Sequence, residues 1–451
     1  MRSWVSMPPR TPHSSPLTPH PSPMLAHSQF VEWLRSAAPY IHAFRGRTFV
    51  VAFGGEVVAG GNFTALTRDF NLLASLGVRL VLVHGSRAQI ERRLSQKSAR
   101  FVRGMRVTDD KALVVVKEEN GRLRTEIEAL LSMGIANAPM ADTRLKVAGG
   151  NFVVARPAGV LDGVDMLHTG EVRKIDTAAI RGRLDAGEVV LVSPLGYSPT
   201  GEIFNLAFEE VAAETAMALA AEKLIFLVDG PQAGRGAWRE LAATQAEGLI
   251  AQADAPQTLK LAVRACRNQV ERVHFVSRET DGGLLLELFT HEGVGTMITQ
   301  DPLERLRQAT IEDAGGILRL IEPLEADGTL VKRSRERLET EIGRFTVLEH
   351  DRMIVGCAAL YPFPSAKAAE LACLAVHSEH QGGGAGERLL RHVEDLAKKQ
   401  GLRRLFVLTT KTAHWFAERG FSESAVEELP PEKKSLYNLQ RRSKVLAKKL
   451  A

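Results

Sequence analysis

A glycine-rich stretch late in the chain contains residues whose spacing could do chemistry. Residues Gln381 to Gly386 read Q-G-G-G-A-G, directly ahead of an amphipathic run. That run places four aliphatic side chains on one face of a predicted helix: Leu389, Leu390, Val393 and Leu396. Glycines at a strand-to-helix turn let backbone N–H groups point outward together, and the helix dipole adds roughly half a positive charge there. The pattern predicts a pyrophosphate site, and a merely flexible loop is the alternative.

A family resemblance adds to this interpretation. The spacing Gln381-x-x-Gly384-x-Gly386, between a strand and a helix, resembles the acetyl-coenzyme A signature of the GCN5-related N-acetyltransferase family. The stretch HWFAERGF, residues 414–421, is similar to that family's second landmark, and the resemblance spans about residues 306–451. It implies that an amine attacks the thioester directly and that the backbone of Leu374 and Val376 faces pantetheine. The implied phosphate cradle is Gln381, Gly382, Gly383, Gly384, Ala385 and Gly386.

A carboxylate lies at the start of the strand that should run beside the acetyl group. An acceptor amine arrives as an ammonium, so a base must take its proton, directly or through water. Glu370 opens the apolar segment ELACLAV, and a carboxylate in such surroundings is our candidate base. The alternative interpretation is a solvated charge at the end of a strand.

Two basic segments could select the amine. In LVKRSRERLETEI most of the basic residues should form a solvated helix face. In YNLQRRSKVLAKKL, Arg441 and Ser443 alternate and would point to one side of a strand. Because arginine pairs with carboxylates bidentately, Arg333 and Arg441 would suit an amino acid bearing carboxylates if the fold brings them together.

Alternating apolar strands and helical runs must position these residues. RTFVVAFGG, VRLVLVHGS and EKLIFLVDG read as buried strands, and ALTRDFNLLASLG and EEVAAETAMALAA read as helices. Such alternation predicts an α/β fold with a parallel sheet covered on both faces. After Asp301-Pro302 a mixed α/β unit with an antiparallel start follows. The predicted organisation is a disordered leader at 1–28, a first domain at 29–298, a linker at 299–306 and a second domain at 307–451.

The first domain has its own resemblance. VVAFGG, LVHGS, FNLAFEEVA, EKLIFLVDG and LLLELFTHEGVGTMI together resemble the amino-acid kinase family, most closely its acetylglutamate kinase branch, over about residues 46–298. The resemblance implies a parallel-sheet α/β/α sandwich. Ala52 stands where that branch has a lysine, Ser86-Arg87 replaces two glycines after His84-Gly85, and Glu209 replaces an aspartate. Since phosphoryl transfer needs positive charge at the transition state, we expect a kinase-like fold without kinase activity.

A segment near the end of this domain predicts sensing. Glu287 through Thr296, ELFTHEGVGT, resembles the arginine-binding segment of arginine-sensitive acetylglutamate kinases. The implied allosteric arginine site comprises Tyr40, Lys223, Glu287, Gly293, Gly295 and Thr296. One departure is His291, which stands where the family carries arginine, so arginine sensitivity is less firmly implied than catalysis. A routine turn on the sheet is the alternative.

The combination of the two domains resembles the bacterial N-acetylglutamate synthase family over nearly the whole chain after residue 28. It implies that acetyl-CoA and L-glutamate give N-acetyl-L-glutamate and coenzyme A, as the first step of arginine biosynthesis. Feedback by L-arginine, a homohexamer and a cytoplasmic location are implied as well. The implied glutamate contacts are Arg333, Arg441, Ser443 and the backbone of Cys373. Glu370 is the implied base, and Thr409 a hydroxyl beside the reacting centre.

Composition narrows the range of partners. The 451 residues carry a net charge of +5 that is spread along the chain, so we predict no nucleic-acid partner. The three cysteines lack metal-ligand spacing, which indicates a reducing compartment and neither disulfides nor a metal site. No stretch approaches the roughly 18 uncharged apolar residues that a membrane span needs. The Pro-, Ser- and His-rich leader is expected to be disordered, or an over-long start ahead of Met24.

Three alternative functions stay open from the sequence. A bifunctional synthase and kinase would need ATP-dependent phosphorylation, which Ala52 argues against. An acetyltransferase acting on proteins, with the first domain as an amino-acid sensor, would need an open acceptor groove. A non-enzymatic regulator with a degenerate coenzyme site is disfavoured because the Gln-x-x-Gly-x-Gly loop is intact.

Overall fold

The structure is a computed structural model that describes residues 23–60, 63–94, 100–133, 144–229, 239–252, 255–291, 293–435, 437 and 443–450. The chain divides into two compact units, the first ending at Asp301 and the second beginning at Pro302. Within the described residues, no helix is long and apolar enough to cross a membrane.

The first unit alternates strands and helices along much of its length. Its helices are α1 (Pro23–Phe44), α2 (Gly55–Ala59), α3 (Phe63–Ser75), α4 (Arg87–Arg93), α5 (Asp110–Leu131), α6 (Thr177–Asp185), α7 (Phe208–Leu219), α8 (Ala243–Gln252), α9 (Gln257–Arg267) and α10 (Gly283–Phe289). Its strands are β1 (Thr48–Phe53), β2 (Arg79–His84), β3 (Phe101–Val102), β4 (Met105–Arg106), β5 (Val147–Gly149), β6 (Val153–Pro157), β7 (Val160–Leu161), β8 (Val164–Asp165), β9 (Gly170–Ile175), β10 (Val189–Val192), β11 (Leu195–Tyr197), β12 (Ile203–Asn205), β13 (Lys223–Val228), β14 (Glu240–Ala242), β15 (Arg272–Ser277) and β16 (Thr296–Thr299).

An eight-stranded sheet in the order β14-β16-β15-β13-β1-β2-β10-β5 forms the centre of this unit. Its strands pair in parallel except for β15 with β16. Along β1, Val50 and Ala52 face one core, while Phe49, Val51 and Phe53 face the other. The central strands are continuously apolar because both faces of the sheet are covered by helices. This is the predicted α/β/α sandwich.

The start of the first unit differs from the expectation. Helix α1 begins at Pro23, so residues 23–28, predicted as the end of a disordered leader, belong to a helix. Six residues are too few to show a helical period in the sequence, so this part of α1 could not be predicted from the pattern of apolar residues. The rest of the predicted leader, residues 1–22, lies outside the described residues.

The second unit is built on a mixed sheet. Its helices are α11 (Ala314–Ala326), α12 (Arg335–Thr340), α13 (Ala385–Lys399), α14 (Ala413–Ala417) and α15 (Pro431–Lys434). Its strands are β17 (Glu304–Gln308), β18 (Phe345–His350), β19 (Met353–Phe363), β20 (Ala368–Val376), β21 (Arg404–Thr409), β22 (Ser422–Glu423) and β23 (Lys444–Lys449). The sheet order is β17-β18-β19-β20-β21-β23-β22, with antiparallel pairing except for β20 with β21.

The predicted linker, residues 299–306, contains two strand ends. Residues up to Thr299 complete β16, and β17 begins at Glu304 and pairs with β18. As an edge strand with one outer side open, β17 carries Glu304, Arg305 and Arg307 and lacks the apolar alternation of a buried strand. Its charged sequence therefore resembles a linker.

Candidate active site and effector site

The strands β20 and β21 diverge and form a wedge in the second sheet. The two strands pair only at Ala368, Ala369 and Glu370, opposite Arg404 to Phe406. Beyond that point β21 continues along β23, and β20 continues along β19. The facing edges of the two diverging strands keep backbone N–H and C=O groups that the ladder between them does not use. An extended polar ligand can pair with such an edge as an added strand would.

A β-bulge in β20 sets which side chains face each side of the wedge. Cys373 has φ +52°, and the register with β19 shifts between the pairs Cys357–Ala375 and Ala359–Ala372. A left-handed residue inside a strand interrupts the regular alternation of faces. After the bulge, Leu374 and Val376 pack in the core that α13 covers. Cys373 and Ala375 instead join the core that α11 covers.

The predicted phosphate cradle lies between the end of β20 and the start of α13. Residues 381–384 are exposed, and Ala385 is the first residue of the helix. The side-chain amide of Gln381 donates to the carbonyl of Val376 at 3.0 Å, which fixes the loop to the strand. Arg388 donates to the carbonyl of Gly383 at 3.0 Å, so a cation lies beside the loop. The first amides of a helix have no intrahelical acceptor and can bind an anion.

Glycine is required in this loop for conformational reasons. Gly382 and Gly384 have φ values of +82° and +81°, and Gly384 is the N-cap of α13. A side chain at either position would be strained, because L-residues seldom adopt such angles. The sequence signature therefore corresponds to a defined backbone conformation.

Glu370 is buried and paired with a residue that the sequence did not single out. It is 6% exposed, and its Oε2 lies 2.7 Å from Nζ of Lys433 in α15. The alternative of a solvated strand-end charge is therefore wrong. A buried carboxylate needs such a partner because losing water costs several kcal/mol. The PPEKK segment reads as a polar turn, and nothing in it indicates a contact with β20.

Arg333 reaches the same face of the sheet as Glu370. Tyr361 is the cross-strand partner of Glu370, and its hydroxyl donates to Glu341 and interacts with Arg333. The guanidinium carbon of Arg333 is 6.0 Å from the Phe345 ring centroid. Its Nε is buried without a hydrogen-bond partner among the described residues. A donor held in this way is suited to an incoming carboxylate. Tyr361 is a site residue that sequence reasoning missed.

The remaining predicted residues lie at the far end of β21 or outside the described chain. The Thr409 hydroxyl accepts from the Thr412 amide at 3.0 Å and lies 2.9 Å from the Thr412 hydroxyl. Ser443 directly precedes β23, whose first residue, Lys444, is opposite Thr409. The carbonyl of Ser443 accepts a hydrogen bond from the Tyr437 hydroxyl at 2.7 Å. Arg441 lies outside the described residues.

Two of the predicted effector residues, Lys223 and Glu287, are joined through His274 in one buried network. Nδ1 of His274 lies 2.7 Å from Oε1 of Glu287, and its Nε2 lies 3.2 Å from Nζ of Lys223. Burial, with Lys223 nearby, lowers the pKa of His274 to about 4. The neutral ring therefore donates from Nδ1 and accepts at Nε2. Burial of Glu287 opposes ionisation, but hydrogen bonds from His274 and from backbone amides hold its pKa below the usual value.

The glycine segment, residues 293–296, binds the same carboxylate through its backbone amides. Oε2 of Glu287 accepts from the amides of Val294 and Gly295, both at 2.7 Å. A Cβ at Gly295 would lie 2.2 Å from the carbonyl oxygen of Phe275, so the close approach excludes other residues. Gly293 lies beside the same carboxylate, and Thr296 begins β16 opposite Phe275.

Lys223 also connects this network to α1. Its Nζ lies 5.0 Å from the ring centroid of Phe44 in α1. The Phe44 ring is in turn 6.1 Å from the ring of Tyr40. The fold thus brings the six predicted effector residues together, with His274 as an added member. His274 was missed because it lies in the middle of an apolar strand.

Three residues at positions of the kinase pattern, Ser86, Arg87 and Glu209, line a cavity of about 100 Å³ in the first unit. Among the described residues that line it, the cations are Arg87 and Arg106, and no lysine is present. Ala52 is fully buried in β1. Burial raises the pKa of Glu209 at the cavity wall. The described lining of this cavity therefore offers arginines but no lysine as a cation for phosphoryl transfer.

Both units match known protein families. Residues 47–232 match the amino acid kinase family, and residues 315–421 match the acetyltransferase (GNAT) family. The amino-acid acetyltransferase of Ralstonia nicotianae is 52% identical over 94% of this chain and 96% of its own length. That of Azotobacter vinelandii is 53% identical over 93% of this chain and 99% of its own.

Solved structures give the same result. N-acetylglutamate synthase from Neisseria gonorrhoeae, complexed with coenzyme A and L-arginine, has a TM-score of 0.83 at 42% identity and covers 93% of this chain and 99% of its own. Its complex with coenzyme A and N-acetyl-glutamate has a TM-score of 0.58 at 42% identity, covering 94% and 99%. Since relatives of this similarity match both units, the chain belongs to the N-acetylglutamate synthase family of amino-acid acetyltransferases.

Proposed function

We propose that this enzyme transfers the acetyl group of acetyl-CoA to the α-amine of L-glutamate and that L-arginine regulates the reaction through the first unit. The observation that supports the catalytic part is that Glu370 lies opposite Tyr361 beside the wedge, and that Arg333 interacts with Tyr361 and lies near Cys373. That arrangement offers a carboxylate-binding cation, a base and free strand edges at one place.

Acetyl-CoA would enter along the wedge. The amides at residues 381–386 and the start of α13 bind the pyrophosphate, because they combine exposed donors with the positive end of a helix. The backbone edge of Leu374 and Val376 pairs with pantetheine. An N–H group on the strand edge then lies beside the thioester carbonyl and stabilises the oxyanion of the tetrahedral intermediate.

L-Glutamate would bind on the opposite side of the thioester. Arg333 and Arg441 bind its two carboxylates, with Ser443 and the backbone of Cys373 completing the contacts. Binding both carboxylates fixes the position of the amine, which converts the reaction into an oriented encounter. This requirement distinguishes free glutamate from a lysine side chain in a peptide, which carries no neighbouring carboxylate pair.

Glu370 accepts a proton from the glutamate ammonium, through water, before the amine attacks. The nitrogen–carbon bond forms, the carbon–sulfur bond then breaks, and the second amine proton ends on the coenzyme A thiolate. Because a thiol has an ordinary pKa of about 8.5, the leaving group needs little acid assistance. The Thr409 hydroxyl, at the end of β21, would hydrogen-bond the departing sulfur or a water beside it.

Regulation rests on the buried network around Glu287. An arginine guanidinium would bind Glu287 and the carbonyl groups of the glycine segment, and its carboxylate would face Lys223. Feedback of this kind fits an enzyme at the first step of arginine biosynthesis. The buried free cysteines fit a cytoplasmic location.

Oligomer formation is part of the same proposal. Helix α1 exposes Phe30, Trp33 and Leu34, with 59%, 45% and 45% of their surface accessible. Apolar side chains grouped on one helix favour packing against another copy of the chain. We propose a homohexamer, which light scattering after size-exclusion chromatography tests directly.

Steady-state release of the coenzyme A thiol tests the catalytic proposal. L-Glutamate should support turnover, while L-glutamine and a lysine peptide, which lack one or both carboxylates, should support at least about 10-fold less, since one lost carboxylate contact is worth about 1.4 kcal/mol or more. L-Aspartate should also be a poorer substrate, because its side chain is one methylene too short to bring both carboxylates to the two arginines. Turnover on the peptide but not on L-glutamate would assign the site to protein acetylation. ATP-dependent phosphorylation of N-acetyl-L-glutamate would contradict the inactive kinase unit.

A further inference from the structure

The carboxylate of Glu370 is held by one described side chain. Nζ of Lys433 lies 2.7 Å from Oε2, and the two side chains are 22% and 8% exposed. No other described residue forms a hydrogen bond or ion pair with this carboxylate. An ionised carboxylate has acceptor capacity on both oxygens, so Oε1 can still receive a proton while Oε2 stays bound to Lys433.

The position of Lys433 is fixed by the residues that precede it. Leu429 is 5% exposed and packs in a core cluster with Ala368 of β20 and Phe406 of β21. Phe406 is the residue opposite Glu370 in the pairing of these two strands. Arg404 in β21 donates to the carbonyl of Glu428. Helix α15 then begins at Pro431, whose ring fixes φ for the first turn. These contacts place Lys433 over the start of β20 as part of the folded unit.

Lys433 also lies on the segment that leads to the predicted substrate residues. Seven residues separate it from Arg441, and Ser443 follows. The Tyr437 hydroxyl, between them, donates to the Ser443 carbonyl at 2.7 Å. The ion pair therefore connects the base on β20 to the segment that carries Arg441 and Ser443.

We propose that Lys433 is a positioning residue for acetyl transfer, in addition to the residues assigned above. Its ammonium holds Oε2 of the buried Glu370 carboxylate and leaves Oε1 to receive the proton of the substrate amine through water. This inference rests on the proposed function, in which Glu370 is the base. During the reaction Lys433 keeps its own proton: Glu370 gains one from the glutamate ammonium and returns it to solvent after coenzyme A leaves.

Removing the charge should change the pH profile of the reaction. An opposite charge nearby favours the ionised form of a carboxylate. In Lys433→Met we expect the acidic limb of kcat/KM for L-glutamate to move up by about 1 pH unit. We also expect kcat at pH 7 to fall at least about 10-fold, with the KM for acetyl-CoA unchanged, because the wedge and the loop at 381–386 are untouched.

The titration of other groups on this face must be distinguished from that of Glu370 in the pH profile of kcat/KM. They are Tyr361 and Cys357 on β19, Cys373 on β20, Arg333 and Glu341 on the segments around α12, and Lys433 on α15. Burial raises the pKa of Tyr361 to about 12, outside the range of the assay. A hydrogen bond with Cys357 lowers the pKa of Cys373, so the profile is also measured in Cys373→Ala. A limb that persists there does not belong to the thiol.

Two further variants complete the experiment. Lys433→Arg keeps the charge and should keep the position of the acidic limb. Lys434 is exposed on the same short helix, so Lys434→Met is the matched control and should behave like the wild type. Coenzyme A binding by calorimetry shows that each variant is folded. If Lys433→Met fails to fold, the Arg variant decides.

The outcomes separate the two proposals. No turnover of L-glutamate by the wild type means that the proposed function has failed. An active wild type with an unshifted profile in Lys433→Met overturns the role of Lys433, as does a loss in Lys433→Arg equal to that in Lys433→Met. A shift in Lys433→Met alone supports it.

Discussion

Oε1 of Glu287 lies 2.7 Å from Nδ1 of His274, at the centre of a buried network in the first unit. The other oxygen of the same carboxylate accepts the amides of Val294 and Gly295. Both carboxylate oxygens of Glu287 therefore already form hydrogen bonds within the chain. An arginine guanidinium must share or replace these bonds, so binding should change the conformation of the glycine segment.

The first prediction concerns this carboxylate. Glu287→Gln removes the negative charge but keeps the shape of the side chain, so the arginine concentration for half-maximal effect should rise at least about 10-fold, the equivalent of 1.4 kcal/mol. Basal turnover should change little, since the substitution lies in the other unit. The assay is thiol release with increasing L-arginine. Exposed Glu279 gives the control Glu279→Gln. An unchanged arginine response in Glu287→Gln would exclude Glu287 from the effector site.

The second prediction concerns stability in acid. Burial lowers the pKa of His84 to about 4 from its ordinary 6.5. Between these two pH values the unfolded chain binds a proton on His84, whereas the folded chain keeps the ring neutral. Stability from this residue is complete above pH 6.5 and is lost as the pH falls towards 4. Between pH 7.5 and 5.0 the loss should be about 2 kcal/mol.

Comparison with a variant isolates this residue from other titrating groups. His84→Asn should show a pH dependence of unfolding smaller than that of the wild type by about the same 2 kcal/mol. Urea unfolding at one protein concentration and two pH values measures it. Exposed His42 supplies the control His42→Asn, which should keep the wild-type dependence. Equal pH dependence in wild type and His84→Asn would show that His84 is not held neutral.

The third prediction concerns the coenzyme loop. Gly384→Ala forces a side chain into a left-handed conformation at the start of α13, so the KM for acetyl-CoA should rise at least about 10-fold, with a smaller effect on the KM for L-glutamate. Gly401, at the other end of α13, has φ +74° and open space around it. Gly401→Ala should cost about 1 kcal/mol of stability and leave both KM values unchanged. Equal effects of the two substitutions on acetyl-CoA would contradict a phosphate cradle at residue 384.

The fourth prediction concerns substrate selection. Arg333→Met should raise the KM for L-glutamate at least about 30-fold, because a desolvated arginine–carboxylate pair contributes about 2 kcal/mol or more. The acetyl-CoA KM should stay near the wild-type value. Arg335 is exposed and paired with Glu339 on α12, so Arg335→Met serves as the matched control. A wild-type glutamate KM in Arg333→Met would remove Arg333 from the site.

What the sequence predicted well was local in the chain. The loop at residues 381–386 could be located because its glycines, the preceding strand and the following helix are adjacent, and the backbone angles depend on those few residues. The continuous apolar strands of the first unit likewise predict a covered parallel sheet, since the pattern follows from burial on both faces.

What it missed depends on contacts between distant residues. Lys433 meets Glu370 across 63 positions, and Tyr361 meets Glu370 only through the β19–β20 pairing. His274 is one polar residue in an apolar strand, and its role follows from Lys223 and Glu287 on other elements. The left-handed bulge at Cys373 carries no glycine, so the sequence gives no sign of it.

The most direct test of acetyl transfer to L-glutamate is identification of the product. Acetyl-CoA labelled with ¹³C in the acetyl group, incubated with the enzyme and L-glutamate labelled with ¹⁵N, should give N-acetyl-L-glutamate that carries both labels, with one equivalent of free coenzyme A thiol. Glu370→Gln should form it much more slowly. Thiol release without a ¹³C–¹⁵N bond in the product would contradict direct transfer to the α-amine of glutamate.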